Sequence, residues 1–236
     1  MKLSGIILLI LFFTSGFFYY QFTTHAIIEK TEAKVTRVID GDTIEIDTGQ
    51  KLRLKGINTP EKKFDYSKQA TELVMGLIEN KTIEIESYGF DKYGRLLAYV
   101  FYKNKNINKK LLKNGLATLY YYEKDSYYKE MKEAEEFARV NGFGLWKTSS
   151  KNSCLKLIEL KYKESPRRCS NDEKLILQNV CNLDLEIIYK DDATHIYEEK
   201  LKANEIYEKQ FSCIWNDDGD SLYVWDDEGL LMFYRY

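Results

Sequence analysis

The chain has 236 residues, of which 44% are hydrophobic and 14% aromatic, a composition that excludes a disordered chain. Its formal net charge of −2 averages two unlike halves. Residues 31–149 contain 21 Lys and Arg against 18 Asp and Glu, whereas residues 150–236 contain 12 against 18. The length and this charge asymmetry indicate two domains with different surfaces.

The first 26 residues, MKLSGIILLILFFTSGFFYYQFTTHA, are typical of a targeting segment. A single lysine precedes an apolar run over residues 5–22, and Thr24-His25-Ala26 is an imperfect cleavage site. Because the run is also about long enough to cross a bilayer, residues 1–26 are interpreted as either a signal peptide or a membrane anchor. Both alternatives predict that the rest of the chain is secreted or otherwise extracytoplasmic.

Strand and helix patterns alternate over residues 31–147. Alternation of apolar and polar residues predicts five strands, which begin near residue 33 and continue over 44–46, 52–54, 82–88 and 96–102. An amphipathic stripe with helical spacing predicts a helix over residues 67–80. The stripe consists of Ala70, Leu73, Val74, Leu77 and Ile78. Further helices are predicted over about 107–114 and 126–141, so this half should form a small closed barrel packed against helices.

A polar segment without periodicity, KTSSKNS (147–153), predicts a linker, which is placed at residues 148–154. Residues 155–236 then contain short strand-like runs separated by turns, which predicts a small all-β sandwich. The predicted strands cover 155–162, 174–180, 185–189, 211–215, 221–225 and 230–234.

The four cysteines all follow residue 150, and none belongs to a CxxC pair. They are Cys154, Cys169, Cys181 and Cys213. Two disulfides in an oxidising compartment are therefore a better interpretation than a zinc site, and three pairings remain open.

Four polar residues stand at strand ends of the first domain: Asp42, Arg53, Glu61 and Arg95. Two carboxylates and two arginines are what phosphodiester hydrolysis requires. Oxygen ligands hold a hard cation, a carboxylate activates water, and guanidinium groups bind the phosphate oxygens. Each residue alone has an ordinary explanation as a turn, a helix cap or a solvated face, so the inference rests on the combination.

The same residues lie in motifs that resemble the staphylococcal-type thermonuclease family. These motifs are VIDGDTIEI (38–46), RLKGINTPE (53–61), DKYGRLLAYVF (91–101), INKKLLKNGLA (107–117) and GLW (144–146). The resemblance covers residues 31–147. It implies an α+β OB-fold, a five-stranded β-barrel with three helices, and a calcium-dependent nuclease that acts on DNA and RNA and leaves 3′-phosphate ends.

Matching positions imply a role for each residue of the site. Asp42 would bind Ca²⁺ through its carboxylate, and Thr59 through its main-chain carbonyl. Glu61 would activate or position the attacking water. Arg53 and Arg95 would bind the scissile phosphate, with Arg95 near the leaving oxygen.

One position departs from the family pattern. Asn58 stands where the family has a second calcium-binding aspartate, and its amide oxygen remains a candidate ligand that lacks the negative charge. For substrate binding, Tyr93 and Tyr121 match positions that contact the nucleotide. Lys92 belongs to a set of lysines that could line a phosphate track.

The second domain, residues 155–236, resembles a lamin-tail domain through NDEKLILQNVCN (171–182) and FSCIWNDDGDSLYVWDDEGLLMFYRY (211–236). That resemblance implies an immunoglobulin-like sandwich, a fold that fixes no activity.

The leading hypothesis for the whole chain is an exported, monomeric, calcium-dependent nuclease with DNA and RNA as substrates and no predictable protein partner. The main alternative is a catalytically weakened OB-fold surface protein that only binds nucleic acid, and a third hypothesis is a surface protein in which both domains only mediate interaction. The presence of Asp42, Arg53, Glu61 and Arg95 together argues against both, because a pure binder does not need Glu61 to activate water.

Overall fold

A sheet that closes on itself forms the first domain. The computed structural model describes residues 30–121, 123–162, 173–216 and 219–236. The strands of this domain are β1 (Lys30–Val38), β2 (Thr43–Ile46), β3 (Lys51–Leu54), β4 (Ile57–Asn58), β5 (Thr82–Phe90), β6 (Leu96–Tyr102), β7 (Lys105–Asn106) and β8 (Thr118–Leu119).

The strand order explains the closure. Neighbouring strands follow the order β3-β2-β1-β5-β6, and the two-residue β7 extends the sheet beyond β6. A parallel pairing between β3 and β6, with Leu54 opposite Ala98, closes the five long strands into a barrel. The separate pair β4 and β8 sets Asn58 opposite Thr118.

Three helices accompany the barrel in the described residues: α1 (Ser67–Ile78), α2 (Ile107–Lys113) and α3 (Tyr128–Val140). Helix α1 buries Ala70, Val74 and Ile78, which recur every four residues along one face, as the stripe predicted. Helix α2 begins where the side chain of Asn106 accepts a hydrogen bond from Lys109 N at 3.0 Å. The predicted barrel with three helices is thus confirmed.

Two sheets form the second domain. Its strands are β9 (Leu155–Lys161), β10 (Glu173–Asn179), β11 (Leu185–Lys190), β12 (Ile196–Leu201), β13 (Ile206–Phe211), β14 (Ser221–Trp225) and β15 (Leu230–Arg235). One sheet has the order β13-β10-β9 and the other β12-β11-β14-β15. Leu175 and Leu177 of the first sheet share a core with Ile187, Tyr189 and Val224 of the second, so the predicted all-β fold is confirmed.

The sequence patterns missed two strands of this domain. No strand was expected over β12, and β13 ends at Phe211, where a strand over residues 211–215 was expected. Both are edge strands with the sequences IYEEKL and IYEKQF. An edge strand has a neighbouring strand on one side only and therefore tolerates charged side chains. These charges hide the alternation of apolar and polar residues from which a strand is predicted.

Cys154 and Cys181 form a disulfide that joins positions 27 residues apart. Cys213 is also disulfide-bonded. Cys169 lies outside the described residues, as do residues 1–29 with the expected signal peptide or anchor. Within the described ranges, no helix is long and apolar enough to cross a membrane.

The two domains pack directly against each other. Trp146, only 1% exposed, has its ring centroid 5.8 Å from that of Tyr223 and 5.1 Å from that of Phe233. Near the expected linker, Leu230 N donates to Lys147 O at 2.7 Å, and Ser149 N donates to Leu230 O at 2.9 Å. The connecting segment is therefore held in the interface by main-chain hydrogen bonds.

Candidate active site

The turn between β1 and β2 holds two carboxylates. Asp42 N donates to Asp40 Oδ1 at 3.1 Å, while Thr59 N and Thr59 Oγ1 both donate to Asp42 Oδ2 at 2.9 Å. A side chain at Gly41 would put its Cβ 2.7 Å from Ala70 Cβ, so only glycine lets helix α1 approach this turn. The turn is thereby fixed against the start of the segment that carries Glu61 and helix α1.

Arg53 lies across the barrel mouth between two oxygen acceptors. Its Nη2 is 3.3 Å from Asp42 Oδ2 and also donates to Asn58 Oδ1. Its Nη1 donates to the carbonyl oxygen of Leu54 at 2.7 Å. Since both terminal nitrogens are held, the guanidinium plane is oriented before any substrate arrives.

Asn58 has a second set of partners that the sequence did not reveal. Its Nδ2 donates to Asp192 O at 2.7 Å and to Ala193 O at 3.3 Å, both in the loop between β11 and β12 of the second domain. Asn58 is 7% exposed, so these contacts are sheltered from water. An aspartate would have no hydrogen to donate to either carbonyl, which gives a physical reason for asparagine at this position.

Arg95 is held by the turn that precedes β6. Its Nε donates to Asp91 Oδ2 at 2.7 Å, and its Nη1 donates to Thr43 Oγ1 at 3.3 Å. Burial is the largest single influence on Asp91 and disfavours its charge, but the hydrogen bonds from Arg95 and Tyr93 and the charge of Arg95 together outweigh it and lower the pKa of Asp91. The Tyr93 ring lies 5.4 Å from the guanidinium carbon of Arg95, and Tyr93 is 72% exposed.

Glu61 is exposed, and among the described residues its side chain has no hydrogen bond or ion pair. It lines the same cleft as Asp42, Arg53, Asn58 and Arg95. An exposed carboxylate without a protein partner can hold a water molecule, which is the function that the sequence predicted for it.

The cleft has a volume of about 490 Å³ and is built from both domains. The barrel supplies one side with the residues described above. Residues of the second domain supply the other side. They include Ile188, Lys190, Thr194, Ile196 and Trp225.

Two predicted substrate contacts are not brought into this cleft. Tyr121 lines a neighbouring cavity of about 630 Å³, and its hydroxyl is hydrogen-bonded to Tyr99 OH. Its half-buried position raises its pKa, mainly through desolvation. Lys92 is exposed beside Tyr93, 5.1 Å from the ring centroid, and does not line the cleft. The predicted substrate contacts of Tyr121 and Lys92 therefore stay predictions.

The oxygen atoms in the cleft are suited to a hard cation. Asp40, Asp42, Asn58 and Thr59 all line it, and Ca²⁺ prefers oxygen ligands of these kinds. Burial and the nearby charge of Asp42 raise the pKa of Asp40, and a bound cation would offset that repulsion. Among the described residues no cluster of three or more Asp, Glu, His or Cys side chains is formed. The ligand types therefore suit a hard cation, while the predicted calcium site stays a prediction.

Several lining residues were not expected from the sequence. Asp40 lies in the VIDGDTIEI motif, so its position next to Asp42 could have indicated it. Tyr66, at the start of α1, lines the cleft with a positive φ of 66°. Lys190 and Trp225 carry no such indication, because they come from the second domain, 148 and 183 residues after Asp42 in the chain.

Comparison with known proteins concerns the first domain. The family model described as "Staphylococcal nuclease homologue" matches residues 51–148. A protein named "Uncharacterized endonuclease" from Haemophilus influenzae is 34% identical over 123 residues, which are 50% of this chain and 67% of the relative. A second "Uncharacterized endonuclease", from Escherichia coli O157:H7, is 37% identical over 91 residues, which are 37% of this chain and 60% of the relative.

A protein named "Thermonuclease" from Staphylococcus hyicus is 35% identical over 125 residues, covering 48% of this chain and 74% of the relative. The matches to these three relatives therefore span half of this chain or less, and 60% to 74% of the relatives. They agree with the predicted enzyme class, a hydrolase of phosphodiester bonds. The family model does not reach the second domain, so the predicted resemblance to a lamin-tail domain stays a prediction.

Proposed function

The chain belongs to the staphylococcal nuclease homologue family, and on this premise we propose that it is an exported, calcium-dependent nuclease. It would hydrolyse the phosphodiester bonds of DNA and RNA and leave 3′-phosphate ends. The observation that carries the proposal is that Arg53, Glu61 and Arg95 line one cleft together with Asp42.

Each of these side chains has a task that its environment supports. Arg53 and Arg95 are already oriented by Asp42 and Asp91, so binding a phosphate requires little further ordering of either guanidinium group. Charge on the phosphate oxygens grows during the reaction, and two fixed guanidinium groups stabilise it. Glu61 orients the attacking water and accepts its proton. A calcium ion, when bound by the oxygen ligands, supplies positive charge that polarises the phosphate.

The first experiment uses the purified full chain and labelled DNA and RNA oligonucleotides, with calcium or with a chelator. We expect cleavage only with calcium, and mass spectrometry should find 3′-phosphate ends on the products. Arg95→Ala should lower kcat by about 10²- to 10³-fold, as for the loss of one preorganised donor to a transition state. Arg37→Ala is the matched control, because Arg37 is exposed on β1 and Glu45 is its only ion-pair partner among the described residues.

The absence of calcium-stimulated cleavage over a wide range of calcium concentrations would refute the proposal. One observation favours the alternative of a binding protein without cleavage. The Asn58 amide is neutral and adds no charge to the metal site, and its oxygen and nitrogen are already hydrogen-bonded to Arg53 and to the second domain. Oligonucleotide binding without cleavage at any calcium concentration is the result that this alternative predicts.

Export, attachment and oligomeric state belong to the same proposal. Residues 1–26 would direct the chain out of the cytoplasm, either as a cleaved signal peptide or as an anchor through residues 5–22. The mass of the protein in the culture medium distinguishes cleavage from anchoring, and light scattering tests the expected monomer. A lamin-tail identity for residues 155–236 is compatible with their two packed sheets.

A further inference from the structure

The second domain contributes a cation to the catalytic cleft. Lys190, the last residue of β11, lines the cleft opposite the barrel residues. Its Nζ is 3.4 Å from Thr118 Oγ1, 3.3 Å from Ala193 O and 5.3 Å from the centroid of the Tyr223 ring. The side chain is half-buried, so its ammonium group has lost part of its hydration.

No carboxylate of the described residues forms an ion pair with Lys190 within 4.0 Å, and both of its hydrogen bonds are long. Burial disfavours the charged form of Lys190 and lowers its pKa. This effect exceeds the opposite effect of the charges on Asp192, Asp191 and Asp220. A partly desolvated cation without a close anion is unfavourable by itself. Its burial becomes favourable when an anion enters the cleft, because the ammonium group then donates hydrogen bonds to the oxygens of the anion.

A short chain of contacts links Lys190 to the arginine at the reaction centre. Thr118, which receives the lysine contact, is paired with Asn58 across β4 and β8. Asn58 Oδ1 in turn accepts from Arg53. Lys190 and Arg53 are therefore connected through Thr118 and Asn58, and both cations line one cleft. A nucleic acid strand presents successive phosphates, so a strand with one phosphate at Arg53 can present a neighbouring phosphate to Lys190.

We propose that Lys190 is a substrate-binding residue of the second domain that holds a nucleic acid phosphate next to the scissile one. The strand is then bound between the two domains, and the second domain forms part of the active site. This inference rests on the proposed function for the identity of the anion. It differs from that function because it concerns binding and does not require cleavage.

The test is binding of a fluorescein-labelled single-stranded DNA oligonucleotide to the full chain, measured by fluorescence anisotropy in a chelator. We expect Lys190→Met to raise Kd about tenfold, the value of one hydrogen bond to a charged group. The slope of log affinity against log salt should fall by about 0.7 for the lost phosphate contact. Lys190→Arg should retain the salt slope, because it keeps the charge.

Lys200→Met is the matched control, since Lys200 lies in the same domain, pairs with Glu186 at 3.2 Å and does not line the cleft. Thermal unfolding of each variant checks that it is folded, and Lys190→Gln, which also removes the charge, replaces Lys190→Met if that variant does not fold. The inference is overturned if Lys190→Met binds with the same Kd and salt slope as Lys200→Met, or if the wild-type chain does not bind the oligonucleotide. If the wild-type chain binds with the expected Lys190 effect but never cleaves, the inference stands and the proposed function fails.

Discussion

Replacing Asn58 with aspartate tests how the two domains meet at the active site. In the wild-type chain, Asn58 Nδ2 donates to the carbonyl oxygens of Asp192 and Ala193 at 2.7 and 3.3 Å. Asn58→Asp exchanges that donor for a negatively charged oxygen that faces the same two carbonyls. The position is 7% exposed, so water cannot readily replace the lost donor.

The expected size follows from these contacts. Two carbonyl oxygens lose their donor, and each buried acceptor left without one costs about 1–3 kcal/mol. The contact between the new carboxylate and Arg53 offsets part of this loss, so we expect Asn58→Asp to lower the free energy of unfolding by about 1–3 kcal/mol. For a chain of this size, the melting temperature falls by about 2–4 °C for each kcal/mol.

Thermal and urea unfolding of the full chain in a chelator measures this change without any contribution from bound metal. Asn141→Asp is the control, because Asn141 Nδ2 also donates to a main-chain carbonyl, that of Phe137 at 2.8 Å, but at an exposed position. Its loss should stay below about 1 kcal/mol. Equal stability of Asn58→Asp and wild type would show that the Asn58 amide does not hold the domains together. Activity measured against calcium concentration then reports separately on the added charge.

Two further substitutions test the interface. Trp146→Ala should destabilise the chain by about 3–5 kcal/mol, because Trp146 is 1% exposed. Phe143→Ala should destabilise it much less, because Phe143 is 44% exposed. Similar losses of stability for the two variants in urea unfolding would contradict the packing of Trp146 between the domains. Burial raises the pKa of Asp192 to about 6, so its contribution to stability is fully present below about pH 4 and is lost as the pH rises through 6, a change of about 2–3 kcal/mol. The unfolding free energy of Asp192→Asn, relative to wild type, should therefore be higher at about pH 7.5 than at about pH 4. The exposed control Asp47→Asn should show no such difference between the two pH values. Parallel profiles of unfolding free energy against pH for Asp192→Asn and wild type would reject this reasoning.

Local patterns predicted the barrel and its helices because they depend on residues close in sequence. The stripe with Ala70, Val74 and Ile78 needed only the helical period to be recognised. The motifs around Asp42 and Arg53 also predicted residues that meet in the structure, at 3.3 Å. These contacts arise from adjacent strands of one hairpin, whose register local sequence largely determines.

The rest of the site depends on contacts that no local pattern records. Asn58 and Asp192 are 134 residues apart, so their hydrogen bond could not be inferred from either segment. The sequence predicted Asn58 as a metal ligand, and the structure adds a donor function toward the second domain. Tyr121 was expected at the nucleotide, but the Tyr99 hydroxyl and the surrounding packing hold it in another cavity.

The contact between the linker region and the final hairpin has a consequence for the order of assembly during synthesis. Lys147 and Ser149 are held by Leu230, and the buried face of Trp146 is covered by Phe233. The barrel is translated long before these partners, so it emerges with an uncovered aromatic face and with only one side of its cleft. The complete cleft therefore forms only after β14 and the turn that follows it have been made, because Trp225 and Gly229 line it.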